Sequence, residues 1–185
     1  LHAQQLAEKY DNVTNVQIEL SSVYDSLLHS IKWWSEAQQF DKKEFTSDEL
    51  ANANTKSRIR MVTLYQIAGA KKGIVVGTGN KVEDYGIGFY TKYGDGGVDI
   101  APIADLYKTE VRELGWHLGV MDEIIDAKPT DGLWEDGRSD EDQIGATYAE
   151  LEEAMENGTG DAVDILSRFN RQNKHKMEPI PTFKL

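Results

Sequence analysis

Residues 77–102 read GTGNKVEDYGIGFYTKYGDGGVDIAP and follow the apolar run Gly73-Ile74-Val75-Val76. A continuous β-branched run of this kind predicts a buried strand of a parallel sheet covered on both faces. In open α/β sheets, ligands bind beyond the carboxyl ends of the strands, which is where Thr78 and the glycines fall. Glycines there let the main chain approach a ligand or take positive φ without a Cβ in the way. Charges recur among them. Glu83 is a hard oxygen donor suited to Mg²⁺ beside phosphates, and Lys92 and Lys108 suit phosphate oxygens that gain charge in a transition state. Asp95 and Asp99 suit hydrogen bonds from ribose hydroxyls or an amide. The stretch matches neither Gly-x-x-x-x-Gly-Lys-Ser/Thr nor a Gly-x-Gly-x-x-Gly on a strand-to-helix turn. Residue chemistry alone therefore points to a nucleotide or anion site and no further.

Upstream, an amphipathic helix leads into NVQIEL, where Val16, Ile18 and Leu20 alternate as in a short strand. Ser22 and Asp25 form a capping pair for a helix carrying Val23, Leu27, Ile31 and Trp34. Residues 35–57 are polar and read as a solvated excursion before a helix with Arg58, Arg60, Met61, Leu64, Tyr65 and Ala68, ending near Gly69. Downstream, Asp105 caps a helix through Val111, Leu114 and Leu118 that stops at Gly119. Ser139 and Asp142 cap another, with Ile144, Tyr148, Leu151 and Met155 at helical spacing. A last helix carries Val163, Leu166 and Phe169 into the proline-containing tail. Strands alternating with helices predict a three-layer α/β fold, a Rossmann-like parallel sheet with helices on both faces.

The 185 residues are 39% hydrophobic, enough to bury a core, and one domain spanning residues 1–185 is expected. A net charge of −12 and a pI near 4.7 argue against a general nucleic-acid binder, which carries a basic footprint. No apolar run approaches the roughly 18 residues needed to cross a bilayer. The chain holds no cysteine, which excludes disulfides, thiolate metal sites and a catalytic thiol within it. A cytoplasmic location is the expectation. The opening LHAQQLAEKYDN has the character of the later part of a helix, as if the domain began upstream.

The block KSRIRMVTLYQIAGAKKGIVVGTGNKVEDYGIGFYTKYGDGGVDIAPIADLYKTEV, then AKPTDGLWEDGRSDEDQIGATYAELE and a late KHK, resembles the NAD synthetases. The resemblance runs from Asn54 to Lys176, and GFYTKYGDGGVDIAPI is its most specific part. It implies an adenine nucleotide alpha hydrolase-like fold and a ligase reaction in two steps. ATP adenylates the nicotinate carboxylate of deamido-NAD, and ammonia then displaces AMP to give NAD. The resemblance implies ATP contacts for Thr78, Lys108 and Thr130, and Mg²⁺ ligation by Glu83. It implies deamido-NAD contacts for Arg58, Lys92, Asp99, His175 and Lys176, and Asp95 becomes a candidate for orienting ammonia. The glycines would let the loop close around two nucleotides.

The family's pyrophosphate loop, Ser-Gly-Gly-x-Asp-Ser, is expected upstream of residue 1 and is not among these residues. The lack of a cysteine favours the ammonia-dependent type over the type with a glutaminase domain. A homodimer is also implied, with the Arg58–Ala68 helix as a candidate face and Trp33 and Trp34 as core or dimer packing. Two alternatives accompany this reading. One is another adenylating enzyme such as a GMP synthetase. The other is a non-catalytic dinucleotide-binding or dimerisation module.

Overall fold

The computed structural model describes residues 2–134 and 136–183; Leu1, Glu135, Lys184 and Leu185 lie outside the described residues. The helices, in chain order, are α1 (His2–Ala7), α2 (Ser21–Ala37), α3 (Lys42–Thr46), α4 (Glu49–Lys71), α5 (Lys108–His117), α6 (Asp122–Ile125), α7 (Asp140–Ile144), α8 (Tyr148–Asn157) and α9 (Val163–Met177). A π-helical turn, Val82–Ile87, lies between α4 and α5. The chain divides into two compact units, one of Leu1–Val16, Val76–Tyr90 and Ala101–Leu185, the other of Gln17–Val75 and Thr91–Ile100.

In the first unit the core is built by the π-helical turn, α7, α8 and α9. Val82, Ile87, Ile144, Tyr148, Leu151, Ala154 and Ala162 are buried together, with Leu166 and Phe169 of α9 packed against them. Helix starts are specified locally. Ser139 and Asp142 exchange bonds at the head of α7, as their spacing predicts, and Thr147 and Glu150 do the same for α8. Gly145, at φ 84°, separates the two, so the single helix expected across Ile144–Met155 is two helices. α5 starts at Lys108 and not at Asp105: the Tyr107 amide donates to Glu110 Oε2 at 2.7 Å, the carboxylate folding back onto the entry residue. Gly119, at φ 71°, follows its end as expected.

The glycine-rich stretch is more ordered than a loop. Asn80 Oδ1 accepts from the amides of Val82 and Glu83 at 3.0 and 3.2 Å, which starts the π-helical turn. Its end is held by α9. Asn170, Asn173 and Lys176, three residues apart and so on one helix face, donate to the carbonyls of Gly86 (3.0 Å), Ile87 (2.8 Å), Gly88 (2.9 Å) and Tyr90 (2.7 Å). Carbonyls that a helix end leaves unpaired are thereby satisfied. Gly88 takes φ 61°, and a Cβ there would stand 2.6 Å from Asn173 Cβ.

In the second unit α2 and α3 pack through Trp34, Phe40 and Phe45, whose ring centroids lie 5.7–5.8 Å apart. The polar excursion expected over residues 35–57 is instead α3 and the first turns of α4, because Asp41 and Asp48 cap them through the amides of Lys43 and Ala51. α2 begins at Ser21, its first amide held by Glu19 Oε1 at 2.8 Å; Ser22 does not cap it.

Two expected strands do not form among the described residues. Residues 15–20 have no regular structure, with Val16 and Ile18 exposed. At residues 73–77 only Val75 and Gly77 are buried, whereas Ile74 is 58% and Val76 52% exposed. A strand needs a neighbour for its N–H and C=O groups. Val75 pairs instead with a single residue 24 positions on: its amide donates to Asp99 Oδ2 at 2.7 Å and its carbonyl accepts from the Asp99 amide at 2.9 Å.

Gly88→Ala combines left-handed strain of about 1–2 kcal/mol with a steric overlap, and should cost about 3 kcal/mol in all. Gly145→Ala meets open space and should cost only about 1 kcal/mol. Urea denaturation of the two variants checks the difference.

Candidate functional site

Within the first unit, charged groups converge on Glu83. Its Oε2 accepts the Asn80 amide at 3.1 Å. Its Oε1 accepts the Tyr148 hydroxyl at 2.6 Å and lies 3.4 Å from Lys108 Nζ. Lys108 is the first residue of α5, where a cation opposes the helix dipole; Glu83 offsets that cost. Its ammonium also stands 4.9 Å from the centre of the Tyr148 ring. The head of α5 is fixed by Glu152 of α8, which accepts from the amide (3.1 Å) and hydroxyl (2.6 Å) of Thr109.

Asp140 lies on the other side of Tyr148. It is 8% exposed, its Oδ2 is 3.4 Å from the Tyr148 hydroxyl, and its Oδ1 has no partner among the described residues. Burial first, then the nearby Glu83 and Asp131 carboxylates, push the Asp140 carboxyl up to about 6. The Tyr148 phenol is also raised well above its usual value, by burial and then by Glu83. Asp131 is held by the Leu133 amide (2.8 Å), Trp134 Nε1 (3.2 Å) and Gln143 Nε2 (3.3 Å).

The other predicted residues of this unit stand differently. Thr78 and Thr130 are exposed, as is His175 on α9. Lys176 grips the carbonyls of Gly88 and Tyr90, so it shapes the glycine-rich stretch.

Within the second unit, α4 and residues 91–100 form a separate polar cluster. Ser57 is 3% exposed, and its hydroxyl donates to Asp95 Oδ1 at 2.7 Å while accepting the Asp95 amide at 3.0 Å. The same Oδ1 accepts the Thr91 amide at 3.0 Å, and the Thr91 hydroxyl meets Asn54 Oδ1 at 2.6 Å. Arg58 Nε donates to the Lys92 carbonyl at 3.3 Å. Tyr65 donates to Asp99 Oδ1 at 3.2 Å, and partial burial followed by that carboxylate raises its phenol above the usual value. Asp95, Asp99 and Arg58 thus all hold this loop in shape.

Sequence reading did not single out Asn54, Ser57, Asp140 or Tyr148. The first two share the α4 face of Arg58 and Tyr65 by their three- and four-residue spacing, a signal that was available. Tyr148 stands at helical spacing and its ring lies in the core, but nothing in the spacing shows where its hydroxyl points. A groove lined by Asp25, Leu28, His29, Lys32 and Thr46 contains none of the predicted residues. Among the described residues no group of three or more His, Asp or Glu side chains is arranged to hold a metal.

Asp140 gives a signed pH prediction. Its carboxyl titrates near 6 in the folded chain against 3.8 ordinarily, so the folded state holds a proton that the unfolded state has lost. Its stabilising contribution is therefore present at about pH 4 and is lost as pH rises through about 6. Asp140→Asn should stabilise the chain by about 1–3 kcal/mol at about pH 7.5 and far less at about pH 4.5. Denaturation curves at both pH values check this; an equal effect at both would contradict it.

The family model for NAD synthase matches residues 2–180. The NH(3)-dependent NAD(+) synthetase of Carboxydothermus hydrogenoformans is 40% identical over 167 residues, covering 89% of this chain and 65% of that protein. The NH(3)-dependent NAD(+) synthetase of Finegoldia magna is 38% identical over 168 residues, 90% of this chain and 64% of that protein. The chain thus spans just under two-thirds of the length of these relatives. Among solved structures, NMN synthetase from Francisella tularensis superposes with a TM-score of 0.81 at 33% identity, covering 100% of this chain and 72% of that one. An NH3-dependent NAD synthetase from Campylobacter jejuni, at TM-score 0.61, 22% identity and 90% and 64% coverage, shares the fold. On the family match and these likenesses, the chain belongs to the NAD synthase family.

Proposed function

We propose that this protein amidates deamido-NAD to NAD, using ATP and ammonia and releasing AMP and pyrophosphate. The observation that carries the reading is the Glu83–Lys108 pair at 3.4 Å, a carboxylate fit for a metal beside a cation fit for phosphate. Family membership and the ammonia-dependent relatives support it. In the first step a nicotinate carboxylate oxygen attacks the α-phosphorus and pyrophosphate leaves. In the second, ammonia adds to the acyl carbon, AMP leaves with the bonding pair, and a proton passes to solvent. A carboxylate is a poor acyl electrophile, and adenylation supplies its leaving group.

The residues divide by unit. In the first, Lys108 exchanges Glu83 for phosphate oxygens as charge builds there, and the exposed hydroxyls of Thr78 and Thr130 serve ATP. Glu83 fits Mg²⁺, which takes one or two carboxylates together with phosphates and water, and Asp140 Oδ1, without a hydrogen-bond partner among the described residues, lies in the same cluster. Bound there, Mg²⁺ would supply charge neutralisation for the triphosphate. His175 and Lys176 are assigned to deamido-NAD, as are Arg58, Lys92 and Asp99 of the second unit. Asp95 is assigned to orienting ammonia.

Residues 1–185 are read as one domain of the three-layer α/β kind with a parallel sheet, which the likeness to the solved Francisella tularensis NMN synthetase supports. A homodimer belongs to the same reading, supported by exposed apolar side chains on α2 and α4, among them Trp33 (68%), Val62 (61%) and Leu64 (52%). No helix among the described residues is long and apolar enough to cross a membrane, and the use of ATP supports a cytoplasmic location. A second reading takes the mononucleotide acid to NMN; the likeness to the Francisella tularensis NMN synthetase favours it.

NAD formation from Mg-ATP and deamido-NAD should proceed with ammonium and not with glutamine. Faster turnover of the mononucleotide acid would favour the second reading, and no pyrophosphate release with either acid would contradict both. Lys108→Ala should slow pyrophosphate release about 100-fold with little change in thermal midpoint. Equal loss of activity and stability would make Lys108 structural. Glu83→Gln should raise the Mg²⁺ concentration needed for half-maximal rate.

A further inference from the structure

We propose that Tyr148 is a positioning residue: its hydroxyl holds Glu83 ready for a divalent cation, and its ring gives Lys108 a second resting place. The inference rests on the reading of Glu83 as a metal ligand. Tyr148 is 2% exposed, so its hydroxyl cannot rely on solvent for a partner. It donates instead to a carboxylate 65 positions away in sequence, at 2.6 Å, a charge-assisted and therefore strong bond. A phenol has one proton to give, so Asp140 Oδ2, at 3.4 Å, is the weaker second acceptor.

Three donors now hold Glu83: the Asn80 amide, Tyr148 and Lys108. They differ in how easily they leave. The Asn80 amide is main chain. Tyr148 is locked by its packing against Val82, Ile87 and Ile144, and its amide donates to Glu141 Oε1 at 3.0 Å. Lys108 is a flexible, one-quarter-exposed side chain at 3.4 Å. When an anion draws the ammonium away, the carboxylate loses one donor and keeps the two that fix its orientation. The ring centre lies 4.9 Å from the same ammonium and offers it a cation–π contact besides the carboxylate. Partners that orient a metal ligand without touching the metal change affinity by about 10–100-fold.

Tyr148→Phe keeps the ring, its packing and its contact with Lys108, and removes only the proton donor. Mn²⁺ binding, followed by loss of the free-ion electron paramagnetic resonance signal, reads the site without turnover. The wild-type chain should bind Mn²⁺ saturably and Glu83→Gln should weaken that binding more than any other variant. Tyr148→Phe, with an unchanged circular dichroism spectrum, should bind about 10-fold more weakly. Lys108→Met should bind at least as tightly as wild type, since Tyr148 still holds the carboxylate and a competing cation is gone. This variant tests the inference even if Tyr148→Phe fails to fold. Wild-type affinity in Tyr148→Phe, or a 10-fold loss in Lys108→Met, would overturn the role of Tyr148 while leaving Glu83 as the ligand. Absence of saturable binding by wild type, or full binding by Glu83→Gln, would overturn the metal-ligand reading itself.

Discussion

The bond between the Tyr148 hydroxyl and the Glu83 carboxylate, 2.6 Å long, ties together the parts of the first unit that form the proposed site. Glu83 belongs to the π-helical turn, Tyr148 begins α8, and Lys108 begins α5. Tyr148 is buried and the Glu83 side chain only 15% exposed, so this charge-assisted bond is strong. The surrounding order serves that meeting. Asn80 starts the turn, the α9 amides and Lys176 finish it, and Glu152 fixes the head of α5. Local capping is thus converted into placement of a carboxylate, an ammonium and a phenol.

The same logic governs the second unit at smaller scale. Ser57 and Asp95 exchange bonds, Asp99 receives Tyr65 and the Val75 amide, and Arg58 takes the Lys92 carbonyl. Carboxylates that sequence chemistry assigned to a ligand are already working to hold 91–100 against α4. The two duties are compatible, because a carboxylate oxygen carries more than one acceptor site. A loop with this many glycines keeps one shape only if its few side chains restrain it.

Helices were legible where spacing and caps agreed, as in Ser139–Asp142 or the end of α5 near Gly119. The sequence says less where a signal depends on distant partners. Val16, Ile18 and the 73–77 run carry strand-forming side chains, but pairing is a tertiary event and these residues lack a neighbouring strand among those described. Residues 35–57 read as solvated because polar side chains hide two Asp-capped helix starts. The family motif located Glu83 and Lys108, and the structure brings those two together. It could not reveal Tyr148, since a tyrosine at helical spacing is core by default and only the fold aims its hydroxyl.

Family membership is settled by the match over residues 2–180; the central claim is that the Glu83–Lys108 cluster is where nucleotide binds. Hydrogen–deuterium exchange of this chain with and without Mg-ATP tests it most directly. The account predicts slowed exchange across the π-helical turn Val82–Ile87 and the first turn of α5. Protection confined to other segments, or no protection there at saturating nucleotide, would contradict it.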